Sequence, residues 1–156
     1  MAKKTIKLKR YLFINNEYVA NAEIYPGHLI ELMTTEKVRV HATAGGNVAP
    51  MVATEDSLQG KEISEAYAAA DQVQCWCPVP GEEGLLRLAN GETTTIGCFL
   101  ESAGDGTVQV HVADVDSSAD ITFIYPKQIV AVALEVVDMS DSSGADPSGL
   151  VKVRFI

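Results

Sequence analysis

Aromatic residues are scarce in this chain. Phe, Trp and Tyr make up 6% of its 156 residues, with a single Trp, so a platform for stacking a sugar or peptide would be thin. Cysteine is equally sparse, and an odd count of three over this length is no disulfide framework. No apolar run approaches the ~20 residues that cross a bilayer. The longest, Ile129 to Leu134 resumed at Val136 and Val137, is broken by Glu135. The start, Met1-Ala2-Lys3-Lys4-Thr5-Ile6-Lys7, is basic but lacks the apolar stretch and small-residue cleavage site of a secretory signal. These absences lead us to expect a soluble product made in the cytosol. No G-x-S-x-G elbow is present, and Gly104-Asp105-Gly106 lacks the Lys-Ser/Thr that would make it a phosphate loop.

What is present is an ordinary globular composition, with 47% hydrophobic and 21% charged residues. A chain of this length folds as one domain and buries roughly 68–70% of the surface it exposes unfolded. The formal charge of −9 is unevenly placed: Lys3, Lys4, Lys7, Lys9 and Arg10 fall in the first ten residues with no acid among them. The other 146 residues hold seven cations against 21 acids, a formal −14. Such a body repels nucleic acid, while the basic start suits either nucleic acid or an acidic protein surface.

Residues 1–20 read as an arm, in which alternating charged and apolar residues lead to Tyr11-Leu12-Phe13-Ile14 and the turn signal Asn15-Asn16. From there on, short strand-like pieces alternate with turns. Val38 to His41, Thr107 to Val112 and Val151 to Phe155 alternate apolar with polar residues. Turn signals separate such pieces at Pro26-Gly27, Gly45-Gly46-Asn47, Pro80-Gly81, Asn90-Gly91, Ala103 to Gly106 and Ser142 to Pro147. That rhythm predicts an all-β fold, a small antiparallel barrel or sandwich over 21–156, with at most one short helix, at Ser64 to Ala70. Ile129 to Leu134 is apolar on both faces, which requires cover on both sides.

Few constellations offer chemistry. In a strand, Cys75 and Cys77 of Cys75-Trp76-Cys77 point the same way with Cα atoms about 6.5 Å apart, the outer edge of disulfide geometry. A zinc site needs four ligands, and this C-x-C has no second pair, so the expectation is reduced, metal-free thiols acting as small hydrophobes. His28, after Pro26-Gly27, reads as a turn residue rather than a ligand or base, with His41 and His111 elsewhere. Asp138 to Asp146 lacks the D-x-D-x-D-G pattern of a calcium loop. No catalytic residue, metal or cofactor is assigned.

The order of pieces carries a resemblance. Ile24-Tyr25-Pro26-Gly27-His28-Leu29-Ile30-Glu31 comes first, then Val52-Ala53-Thr54-Glu55-Asp56 with Gly60, Ile63 and Ala66-Tyr67. Pro80-Gly81 and Leu86-Arg87-Leu88-Ala89-Asn90-Gly91 follow, and the chain closes with Ile129 to Ser140 and Val151 to Ile156. Over about residues 22 to 156 this resembles the decoration, or cement, proteins of tailed-bacteriophage heads. Cys75-Trp76-Cys77 is a departure from that pattern.

The resemblance implies a β-barrel-like body, homotrimers at threefold and quasi-threefold positions of an icosahedral shell, the major capsid protein as partner, and no catalysis. Under it, the protein bridges capsid subunits on the virion surface, binding neither nucleic acid nor membrane. The expected capsid-binding arm comprises Lys3, Lys4, Lys7, Lys9, Arg10, Tyr11, Leu12, Phe13 and Ile14. The expected trimer interface uses the uncharged strand with Ile129, Ala131 and Ala133, and the terminal strand with Val151, Val153 and Phe155. The rival reading is a free-standing barrel that binds a sugar or peptide through exposed Trp76, Tyr67 and Tyr125. A metal enzyme built on Cys75, Cys77 and Cys98 is weaker still.

Overall fold

The computed structural model describes residues 5–9, 15–112, 127–142 and 149–156. Within them the protein is all-β, with thirteen strands and no helix. These are β1 (Lys7–Lys9), β2 (Asn15–Ala20), β3 (Ile30–Leu32), β4 (Lys37–Val40), β5 (Val52–Ala53), β6 (Gln72–Trp76), β7 (Glu83–Arg87), β8 (Thr93–Thr94), β9 (Phe99–Ser102), β10 (Val108–Val110), β11 (Ile129–Ala133), β12 (Val137–Asp138) and β13 (Leu150–Phe155).

One sheet has six strands in the order β1-β7-β13-β11-β9-β10, every pair antiparallel. A parallel bridge between Leu88 and Val108 brings β10 back to the end of β7, so the sheet curls toward closure. The other has five strands in the order β3-β4-β2-β6-β5, with only β2 and β4 parallel, and β8 pairs with β12 apart from both.

Alternation decides which side chains enter. In β13, Val151, Val153 and Phe155 are buried while Arg154 between them is exposed, as period two requires. In β6 consecutive residues part company: Trp76 enters the larger core with Leu86, Leu100 and Phe155, and Cys75 enters a smaller one with Ile24, Tyr67 and Val73. Trp76 meets Phe155 edge-on at 5.4 Å between ring centroids. In β11 the register slips between Ile129 and Ala131, so Val130 and Ala131 both enter the larger core, and Val132 is left half-buried on the other face.

The helix candidate at Ser64 to Ala70 is not helical, which agrees with an expectation of at most one short helix. Tyr67 instead makes a two-way backbone bridge with Ile24, at 3.0 and 2.8 Å, and its hydroxyl donates to the Thr54 carbonyl at 2.7 Å. A run of seven residues gains too few helical bonds to offset nucleation, whereas burying the Tyr67 ring contributes at once.

The Pro26-Gly27 turn is pinned from beneath. Gly27 has φ 89°, open to glycine, and a Cβ there would lie 3.1 to 3.3 Å from Leu150, Arg87 and Ile6. Buried Arg87 donates through Nε to the Pro26 carbonyl and through Nη2 to the Ile63 carbonyl, both at 2.9 Å, with its guanidinium 4.9 Å from the Tyr25 ring centre. Burial lowers its pKa.

Candidate functional site

The described part of residues 1–20 belongs to the folded body. Ile6 is fully buried; its N–H donates to Glu55 Oε2 at 3.0 Å and its carbonyl accepts from Leu85 N–H at 2.8 Å. Thr5 Oγ1 also bonds Glu55. Lys7 and Lys9 sit on edge strand β1, and β2 is the middle strand of the five-stranded sheet. An arm running unbroken to residue 20 is therefore corrected: alternating Ile6, Leu8 and Tyr18-Val19-Ala20 is strand pattern, satisfied by pairing at home. Lys3, Lys4, Arg10, Tyr11, Leu12, Phe13 and Ile14 lie outside the described residues.

The side chains expected at a trimer interface serve the protein's own core. Ala131, Ala133, Val151 and Val153 are fully buried and Phe155 nearly so, on two adjacent interior strands, with Ile129 half-buried at the start of β11. No second copy can touch the buried five without opening the core. Their lack of charge reflects that core.

The aromatic platform fails for the same reason. Trp76 and Tyr67 are each 1% exposed, and Tyr125 lies outside the described residues. Burial, with Cys77 nearby as a lesser cause, pushes the Cys75 thiol up to about 12, and burial raises Cys77 as well. Among the described residues no group of three His, Cys, Asp or Glu side chains is disposed to hold a metal ion. Asp138 holds a turn: its Oδ1 accepts from Thr93 Oγ1 at 2.9 Å and Ser140 N–H at 3.0 Å, and hydrogen bonding from the Ser140 side chain first, then its N–H and Thr93, lowers its pKa.

The histidines are likewise engaged. His28 Nδ1 accepts the Tyr25 N–H at 3.3 Å, and burial, aided by the Arg87 charge, pushes its pKa down to about 4. His41 Nε2 faces the Asn47 carbonyl at 3.1 Å, which puts the proton there and leaves Nδ1 to accept the Ser102 hydroxyl at 2.8 Å. That Ser-His contact has the look of a nucleophile and base, but Ser102 is 0% exposed, beyond the reach of any substrate. His111 Nδ1 lies 2.6 Å from Glu101, whose carboxylate also accepts from Gln109 at 2.8 Å and Gln128 at 2.9 Å. A groove of about 440 Å³ runs beside β3, between Ile30, Leu32, Met51 and Cys77, with His41 in its wall.

Among the described residues, cations and exposed apolar side chains gather on the outer face of the six-stranded sheet. Register places Lys9 beside Glu83, Glu83 beside Arg154, Arg154 beside Val132 and Val132 beside Phe99. These residues form a single row across β1, β7, β13, β11 and β9, roughly 19 Å long at about 4.8 Å per strand. At its basic end Glu83 accepts from Arg154 at 2.9 Å and lies 3.2 Å from Lys152 Nζ and 4.0 Å from Lys9 Nζ. The Arg154 hydrogen bond first, then Lys152, holds the Glu83 carboxyl below the usual range. At the other end Phe99 is 48% exposed, and Ile96 and Val136 in the flanking turns are 70% and 65% exposed. Sequence reasoning missed this row, because its members are scattered from residue 9 to residue 154.

No protein-family model and no curated protein sequence matches the chain. Among solved structures, it is similar to the head fiber gp8.5 N base of bacteriophage phi29. The TM-score is 0.55 at 12% sequence identity, covering 92% of this chain and 93% of that one. At that identity the likeness shows a shared fold.

Proposed function

We propose that this chain is a non-enzymatic structural protein of a tailed-phage head. It sits on the outer surface of the capsid as a homotrimer and stabilises the shell by bridging neighbouring major capsid subunits. The observation that carries this reading is the fold likeness to the base of a head fiber, which runs nearly the full length of both chains. The character of the body supports it: a net acidic charge, histidines bonded within the fold, and a frame of two main sheets. Burial of Trp76 and Tyr67 disfavours the sugar- or peptide-binding module. Bridging stabilises by mass action, since a ligand that binds only the assembled shell raises the free energy of taking it apart.

The test is a phage carrying a nonsense codon in this reading frame. Wild-type virions are expected to contain the chain in many copies per head, accessible to antibody on the outside, and mutant heads to release DNA at lower temperature. Purified protein should sediment as a trimer. Virions that lack the chain, or heads of equal heat resistance with and without it, would reject the proposal.

A further inference from the structure

We infer that the row Lys9, Glu83, Arg154, Val132 and Phe99 is the docking surface of this protein, and that its partner is a protein surface presenting carboxylates beside an apolar spot. This deepens the proposed function and rests on it, by naming the face turned to the capsid.

Charge makes the first half of the argument. On other surfaces a cation meets one acid, Arg39 with Glu31 at 2.7 Å and Lys61 with Asp71 at 3.7 Å. Here three cationic side chains, 56%, 39% and 52% exposed, share a single carboxylate only 10% exposed. Glu135, two residues past the end of β11, turns its carboxylate onto the Lys152 N–H at 2.7 Å. Three exposed cations against Glu83 and Glu135 leave this end of the row with an excess of one positive charge, in a chain of net −9, and its complement is acidic.

The apolar end makes the second half. Phe99, Val132, Ile96 and Val136 lie on neighbouring strands or their turns, since Gly97 N–H bonds the Ala133 carbonyl and Val137 pairs with Thr94. Phe99, Ile96 and Val136 are exposed and Val132 between the strands is half-buried, and an apolar patch bordered by charge marks a protein contact. Nucleic acid fits poorly: three cations neutralise few phosphates, and the apolar end would gain nothing from a phosphate backbone.

The experiment uses heads assembled without this chain and purified full-length protein. Reversing charge with Lys9→Glu and Arg154→Glu is expected to weaken head binding at least about tenfold, mainly by slowing association, with the loss shrinking at high salt. Phe99→Ser with Ile96→Ser is expected to speed dissociation by a similar factor at every salt concentration. Arg39→Glu, on the other sheet, is expected to bind as wild type. Should a reversal variant melt early, Lys9→Gln with Lys152→Gln and Arg154→Gln gives the same reading without new repulsion.

If wild-type protein binds heads and the row variants bind equally well, the surface assignment falls and the proposed function stands. If wild-type protein does not bind heads, both fall. Variants that lose self-association in step with head binding would make the row a contact between copies, and DNA that competes with heads for the row would make it a nucleic-acid site. Either result overturns the inference.

Discussion

Gly84→Ala is expected to loosen the joint between the two sheets. An ideal Cβ at Gly84 would lie 2.8 Å from Trp76 Cζ3, 3.1 Å from Cη2 and 3.1 Å from the Ile6 carbonyl oxygen. Carbon atoms in good contact sit about 3.5–4.0 Å apart, so the added methyl overlaps the ring by roughly 0.7 Å or more. Neither neighbour can yield cheaply. Trp76 is 1% exposed and held edge-on by Phe155, and the Ile6 carbonyl is engaged by Leu85 N–H at 2.8 Å. Overpacking costs about 1–3 kcal/mol, partly offset by about 0.5–1 kcal/mol from replacing a flexible glycine in a strand. At the middle of both ranges the net loss is about 1 kcal/mol, or roughly 2–4 °C in Tm at this chain length. Trp76 is the only tryptophan, so its fluorescence reports urea unfolding directly. The midpoint should fall with the slope unchanged. In a Trp76→Leu background, followed by circular dichroism, the same change should cost much less, because the clash has gone. A midpoint that holds or rises in Gly84→Ala would refute this account of how β6 packs on β7.

Other expectations follow from single sites. The folded pKa of His28 is about 4, below the ordinary 6.5, so its contribution is complete above about pH 6.5 and is lost as pH falls through 4. By about pH 5 it should remove about 1–2 kcal/mol, and His28→Gln should flatten that part of the stability profile, measured by urea midpoints. Cys75, with its thiol pushed up to about 12, should resist iodoacetamide in the native protein and react once urea unfolds it; mass spectrometry that finds native Cys75 labelled as fast as Cys77 would contradict its burial. Ile6→Ala should cost about 2–4 kcal/mol by thermal denaturation, since that side chain is fully buried in the larger core; a neutral result would return residues 5–9 to the status of a separate arm.

Alternation in the sequence was enough to define strands, because period two is a local property of the backbone. Val38 to His41, Thr107 to Val112, Ile129 to Leu134 and Val151 to Phe155 all lie on strands with bounds shifted by at most two residues at either end. Pro-Gly and Asn-Gly turns were legible for the same reason, and Gly27, Gly81 and Gly91 all take positive φ. Alternation marks two faces but does not say what covers them. That Val151, Val153 and Phe155 enter the protein's own core instead of meeting another copy depends on β11 and β7 lying on either side of β13, a pairing of distant segments. Ile6 and β2 looked like an arm because their partners, Leu85 and Gln72–Trp76, are about 55 to 80 residues away. Cys75 and Trp76 separated into two cores because β6 has a packed layer on each side. Register likewise assembled Lys9, Glu83, Arg154, Val132 and Phe99 into one row, and register is a long-range choice set by the hydrophobic faces of whole strands, so no window along the chain contains it.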